Sequence, residues 1–343
     1  MPAITPAFLY DLETDMRLVT SQEYQRLTQN LWWTKVAKQG TSQSKKERTY
    51  WLLDTARIQR TGKGGGNVEF EDIVSNTQEF EHENAAAGLK IKKEQLEDND
   101  GRGIDEANHW SRQMGALAAY WPQHEVAKAI LANPTTYDGL PFFHASHPYN
   151  PYNSAVGTFA NIFTGSEDGI YPGACPIDDS VTLETAYTNL AKLIAYIASL
   201  KMPNGDAPRG LRVASIVHPP RMTARVQQLT QAKFIAQAAN SAAGSSDVSM
   251  LIKAFGLGEP VEAPELQAGF GGSDTTFYLT MEPITSDEKG AWLYSQREAF
   301  GVNYYGPQND AQLARIREYQ WTTEGRNIVA PGHPYLMFKC QKT

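Results

Sequence analysis

Four histidines are the first side chains in this sequence that could do chemistry. His144 and His147 stand three apart in Tyr137-Asp138-Gly139-Leu140-Pro141-Phe142-Phe143-His144-Ala145-Ser146-His147-Pro148. That spacing can put two imidazoles on one helix face and supply half a metal site. Pro141 and Pro148 oppose a helix here, and no HExxH glutamate accompanies the pair. His218 and His333 each precede a proline and so read as turn residues. All four are expected to pack and turn the chain, without metal, cofactor or catalytic duty. Gly62-Lys63-Gly64-Gly65-Gly66 is rich enough in glycine to suggest a phosphate loop. It lacks the spacing of one, and no buried strand and helix flank it, so it reads as a flexible loop tip. Asp98-x-Asp100-Gly101 hints at calcium, but the remaining ligands of such a loop are missing, and an acidic turn before a helix explains it. Cys175 and Cys340 lie far apart and form no CxxC pair, which argues against a disulfide framework or a structural zinc. No GxSxG is present, and no Ser-His-Asp or Cys-His set has a motif behind it.

The elements that must position these residues are clearer than the chemistry. Residues 104–133 are expected to form the strongest helix. Ile104, Ala107, Trp110, Met114, Leu117, Trp121 and His124 mark one stripe at steps of three and four. Asp105 and Glu106 suit its first turn, Pro122 should kink or split it, and Asn133-Pro134 should end it. Trp110, Met114, Leu117 and Trp121 are expected to form the seam against a sheet. Asp138-Gly139 then turns, Phe142 and Phe143 anchor, and Pro148 through Asn153 is a turn-rich run. A second helix is expected over about 180–200, with Leu183, Ala186, Leu190, Leu193, Ile194 and Ile197 on one face. Leu211 through Val217 reads as a buried strand, followed by a proline turn and a helix with Met222, Val226 and Leu229 inward. Further strands are expected at 275–281, 291–294 and from Tyr319 to Lys339. There is no internal repeat, and helices and strands do not alternate regularly, so the class is α+β.

The first 95 residues look poorly self-sufficient. Leu9, Leu12, Met16 and Leu18 have roughly helical spacing, and Trp32-Trp33 follow Tyr24, Leu27 and Leu31. Such an arm packs either on its own chain or on a partner. Residues 47–95 read as a long hairpin with a weakly apolar face and the Gly62–Gly66 tip, marginal unless it lies on another surface. The chain has 343 residues, 41% hydrophobic and 20% charged, with a formal net charge of -7. It is therefore a folded protein, without the basic excess of a phosphate-binding surface. No stretch reads as a signal peptide or membrane span, and the expected place of synthesis is a cytoplasm.

The order of long helix, Tyr-Asp-Gly, Phe-Phe and His-Pro resembles the major head proteins of Mu-like tailed phages. The likeness is best at 137–148, extends over 96–148, and recurs at 211–234, where Ile216-Val217-His218-Pro219 resembles a family strand and proline turn. It implies the capsid fold of tailed phages and herpesviruses, named after phage Hong Kong ninety-seven. On that likeness, residues 1–46 are an N-terminal arm and 47–95 an extended loop. Residues 96–180 are a peripheral domain with a spine helix, 181–310 mainly an axial domain, and 311–343 strands returning to the peripheral domain. The implied function is an icosahedral shell around phage double-stranded DNA, assembled in the host bacterial cytoplasm, and not an enzyme. Implied partners are other copies in hexamers and pentamers, scaffold, portal and head-completion proteins, and DNA held without sequence preference. No membrane is involved, and a mildly acidic coat suits a container to which DNA must not stick. Trp32, Trp33, Gly62, Lys63, Gly64, Gly65 and Gly66 are the candidate subunit-interface residues. The competing readings are a hydrolase with a histidine-bearing loop, or another phage structural part such as a tail component.

Overall fold

A computed structural model describes residues 4–28, 31–52, 75–97, 102–205, 207–231, 234–235, 246–247, 257–282, 290–307, 315 and 317–342. Helix α1 spans Pro6–Leu27. It starts where Thr5 Oγ1 accepts from the Phe8 N–H at 3.2 Å, with Pro6 in the first turn. Helix α2 spans Arg102–Ala132 and runs unbroken through the buried Pro122. The expected split there does not occur. Asn133 ends it at φ 50°, a left-handed conformation that asparagine tolerates.

α1 lies directly on α2. Leu12, Met16 and Thr20 are buried along it, and the Thr20 hydroxyl donates to the Ser111 carbonyl at 3.1 Å. Gly115 lets the two backbones meet, since a Cβ there would stand 2.5 Å from the Thr20 carbonyl oxygen. Ser111, Gly115 and Ala119 are buried on α2, while Leu117 is 58% exposed. The expected seam is thus corrected at Leu117. A stripe scored by large apolar residues overlooks a small-residue face chosen for close approach.

A four-stranded sheet backs these helices. Its order is β1 (Ala37–Thr41), β7 (Trp292–Tyr304), β8 (Glu318–Pro331) and β4 (Glu83–Lys92). β1 runs parallel to β7, and the other two pairings are antiparallel. Along β8 burial alternates strictly from Tyr319 to Asn327, which turns Tyr319, Trp321, Thr323, Gly325 and Asn327 inward. Tyr319 and Trp321 join Met16, Ile91, Trp110, Met114 and Val302 in a compact apolar cluster. β4 is the outer strand of this sheet. The expected hairpin is present at its base, where β2 (Lys46–Leu52) pairs antiparallel with β3 (Ser75–Glu81). Its tip, with Gly62, Lys63, Gly64, Gly65 and Gly66, lies outside the described residues, as do Asp98, Asp100 and Gly101.

The larger core surrounds a second sheet. Residues 261–262, β5 (Val213–His218), β6 (Phe277–Met281), β9 (Met337–Cys340) and residues 162–163 follow one another in it. Helix α3 (Leu183–Ala198) is capped by Thr182 and buries Ala186, Leu190, Leu193, Ile194 and Ile197 of the stripe read from sequence, while Leu183 at its start is half-buried. α4 (Thr223–Gln231) follows the proline turn, with Met222, Val226 and Leu229 fully inside. Trp32 and Trp33 also belong to this core, at 4% and 6% exposure. Trp32 Nε1 donates to Glu265 Oε2 at 2.8 Å, and Trp33 packs on Tyr294 with ring centres 5.2 Å apart. The two indoles are therefore covered by their own chain. Within this one chain, α1 packs on α2, and Trp32 and Trp33 pack in the larger core.

Candidate functional site

The segment 133–148 folds as a corner that fastens the end of α2 to both sheets. Asn133 begins it by imitating a strand. Its Oδ1 accepts from the Phe143 N–H at 2.7 Å, and its Nδ2 donates to the Phe143 carbonyl at 3.2 Å. Gly139 takes the turn at φ 81°, where its N–H reaches the Thr136 carbonyl. Phe142 and Phe143 point into the large core. Phe142 stacks on Trp292 at 4.4 Å, and Phe143 lies edge-on to Phe142 at 4.9 Å. The anchor role read from sequence is what these rings do.

Polar groups close the corner beneath the rings. His147 Nδ1 lies 2.6 Å from Asp138 Oδ2, and His147 Nε2 lies 3.0 Å from the Phe142 carbonyl oxygen. Both side chains are buried, at 0% and 2% exposure. Burial by itself would push the Asp138 carboxyl up. The His147 ring, the Thr136 hydroxyl and the Leu140 N–H together outweigh it and hold the carboxyl below its ordinary range. Asn161, fully buried, is the second fastener. Its Nδ2 donates to the Phe142 and Pro334 carbonyls, and its Oδ1 accepts from the His144 N–H. Sequence reading overlooked Asn161 because nothing local marks it; its partners are 17 and 173 residues away. Asp138 was read only as a turn residue, and the following His-Pro was its signal.

The other candidates separate in space or in role. His144 accepts from the Ser146 N–H at its Nδ1 and meets His147 only ring edge to ring face, centres 5.7 Å apart. With both nitrogens of His147 engaged, the pair has no common open position for a metal. Among the described residues no three His, Cys, Asp or Glu side chains converge. His218 is buried on β5 with Nδ1 3.0 Å from the Pro219 carbonyl, and burial holds its imidazole below the ordinary range. His333 stacks on Tyr335 and meets Tyr137 edge-on. Cys175 and Cys340 are buried free thiols, and burial pushes Cys175 up to about 11.

An open groove of about 430 Å³ runs between α2 and the β4–β8 edge. Leu117 and Trp121 form one wall, and Ala85, Ala86 and Ala87 of β4 the other. Trp121 Nε1 donates to Asn327 Oδ1 at 3.1 Å, and its ring meets Phe300 edge-on at 6.0 Å. On the floor, Thr323 Oγ1 and Asn327 Nδ2 are buried and find no hydrogen-bond partner among the described residues. Glu83, Glu125 and Lys128 also line the groove, so its apolar side chains alternate with charged ones around these buried polar atoms.

A chain of the bacteriophage JBD30 capsid decorated with minor capsid protein trimers superposes on this one with a TM-score of 0.52 at 15% identity. The overlap spans 71% of this chain and 93% of that one. The mature capsid of bacteriophage PhiM1 gives 0.50 at 12% identity, over 89% of this chain and 84% of its own. The bacteriophage JBD30 procapsid aligns with 99% of this chain and 77% of its own, at 14% identity and a TM-score of 0.47. No curated protein sequence matches. The first two superpositions define the class: this is the capsid fold of tailed phages. Residues 12–172 match the family model of the Mu-like prophage major head subunit gpT. Over that stretch, which is less than half of the chain, the protein is similar to a Mu-like major head subunit.

Proposed function

We infer that the protein is a major capsid protein whose copies assemble into the icosahedral shell of a phage head. The family match over residues 12–172 is the observation that carries this reading. The groove beside α2 supports it, because exposed Leu117, charged Glu83, Glu125 and Lys128, and floor atoms with no partner among the described residues suit contact with another chain. In the arrangement we propose, the 47–95 hairpin is an intersubunit clamp, with the glycines around Lys63 at its reaching end. Residues 96–180 and 311–343 form the peripheral part, 181–310 mainly the axial part at the capsomer centre, and 1–46 the arm. The copies group as hexamers and pentamers, in company with scaffold, portal and head-completion proteins. The net charge of -7 suits an inner wall that holds DNA without binding its sequence. The role is structural, no catalytic step is assigned to it, and assembly takes place in the host cytoplasm.

Negative-stain imaging of the purified protein tests the shell directly, with closed particles or capsomer rings as the expected result. Compact monomers under every assembly condition would refute it. Deleting Gly62 to Asn67 should leave a folded subunit that assembles poorly. A deletion that unfolds the subunit, with normal assembly of what survives, would place the hairpin in an internal core instead.

A further inference from the structure

The groove beside α2 exists because one stretch of the sheet is too small to fill it. Toward the compact cluster, Trp321 of β8 stands opposite Leu89 of β4. The next inward pairs are Thr323 with Ala87 and Gly325 with Ala85, and about 430 Å³ beside them stays open. A cavity of about 150 Å³ already accepts a benzene ring, so this space has room for a phenyl side chain and the turn that carries it. Its charges are two carboxylates, Glu83 and Glu125, against the ammonium of Lys128.

Elsewhere on the chain, residues 266–274 form a loop that holds a phenyl ring outward. The Ser273 N–H reaches the Leu266 carbonyl at 3.0 Å, the Gly272 N–H the Gln267 carbonyl at 3.1 Å, and the Gly271 N–H the Ala268 carbonyl at 3.2 Å. Asp274 Oδ1 accepts from the Ala268 N–H at 3.0 Å, and Leu266 is rooted in the larger core. Gly271 turns at φ 87°, and a Cβ on Gly272 would overlap the Leu266 carbonyl oxygen. At the tip of this fastened loop Phe270 is 64% exposed. Residues 266–273 carry no charge, and the Gly269 and Phe270 carbonyls take no main-chain hydrogen bond among the described residues.

We propose that the Phe270 loop of one copy docks in the groove beside α2 of the next. The phenyl ring then covers Leu117 and Ala87, and the two carbonyls offer Lys128 acceptors. Two large apolar side chains among the described residues are more exposed than Phe270, and both suit the groove less. Ile170 follows Glu167 and Asp168, which would meet Glu83 and Glu125 as like charges. Tyr10 lies on α1 beside Asp11, and its carbonyl already accepts from the Thr14 hydroxyl at 2.8 Å. The uncharged loop avoids that repulsion, and its closed hydrogen bonds mean that little ordering is lost on contact. Phe270 does not line the groove of its own chain, so knob and groove are separate surfaces. Each copy gives one knob and receives another, a head-to-tail contact that closes into a ring when the rotation between copies allows. The proposal rests on the shell reading for its partner, a second copy of this chain.

Cross-linking between copies tests it. Phe270→Cys and Ala87→Cys are placed on separate full-length chains and co-assembled with an excess of the parent protein, so that assembly does not depend on the variants. A short bismaleimide linker should then join the two variants into dimers on a denaturing gel, while either variant alone gives none. Cys175 and Cys340 are buried free thiols and stay out of the reaction. Phe270→Asp, changed at an exposed position, should denature like the parent yet raise the concentration needed for assembly by about tenfold or more, with Phe270→Leu closer to the parent. Particles that form without joined dimers, or Phe270→Asp assembling at the parent's concentration, overturn the contact and leave the shell standing. Joined dimers in small oligomers, with no shell under any condition, keep the contact and overturn the shell. A parent that stays monomeric, with no joined dimers, overturns both.

Discussion

Replacing Gly115 with alanine decides where α1 belongs, because the two possibilities give opposite signs. In an isolated or exposed helix, alanine in place of glycine stabilises by about 1 kcal/mol through backbone entropy. In the structure, the new Cβ would meet the Thr20 carbonyl oxygen at 2.5 Å and the Glu23 Cβ at 2.8 Å. Ordinary contact needs about 3.4 Å or more, so α1 must lift by nearly an ångström along this face. Overpacking of that kind costs about 1–3 kcal/mol. The buried bond from Thr20 to the Ser111 carbonyl is stretched by the same movement, at a further cost of about 0.5–1.5 kcal/mol. After the helix gain is subtracted, Gly115→Ala should destabilise the subunit by about 0.5–3.5 kcal/mol. Urea denaturation of the unassembled subunit measures this, and tryptic cleavage at Arg17 and Arg26 reports whether α1 has lifted. A variant more stable than the parent, with unchanged cleavage, would show that α1 does not rest on α2 in the free subunit.

Four further outcomes follow from burial and charge. Leu117→Ala should change stability by less than about 0.5 kcal/mol, since the side chain is mostly exposed, yet lower the particle yield; normal particle yields would remove the groove from the interface. Asn161→Ala leaves two buried carbonyls and the His144 N–H short of a partner and should cost about 2–5 kcal/mol in a denaturant titration, with a loss below 1 kcal/mol speaking against the corner network. The Asp138 carboxyl sits below its ordinary range in the folded state, so its stabilisation is complete above the unfolded value and lost as pH falls to the folded one. Asp138→Asn should therefore flatten the acid limb of a stability-against-pH curve, and an unchanged limb would contradict the pairing. Cys175 and Cys340 should resist thiol reagents at pH 8 until the protein unfolds, and rapid labelling of the native subunit would contradict their burial.

Local pattern alone determined the long helix to within two residues at each end, the stripe of α3, and the strand, proline turn and helix from 211 to 231. Each is set by period and by punctuation from Pro, Gly or Asn, and these act over a few residues. The anchor role of Phe142 and Phe143 was legible for the same reason: two adjacent aromatics between a turn and His-Pro have few other uses. Only the tertiary structure decided which face of α2 is covered. Sequence ranks Leu117 above Gly115, but close helix packing rewards the residue that takes least space. The same holds for Trp32 and Trp33, whose burial depends on Glu265 and Tyr294, more than two hundred residues away. The polar corner shows the limit most plainly. Asp138, His147 and Asn161 are ordinary turn-forming types in sequence, and their pairing exists only once the core has closed over them and removed the water that would otherwise satisfy each one separately.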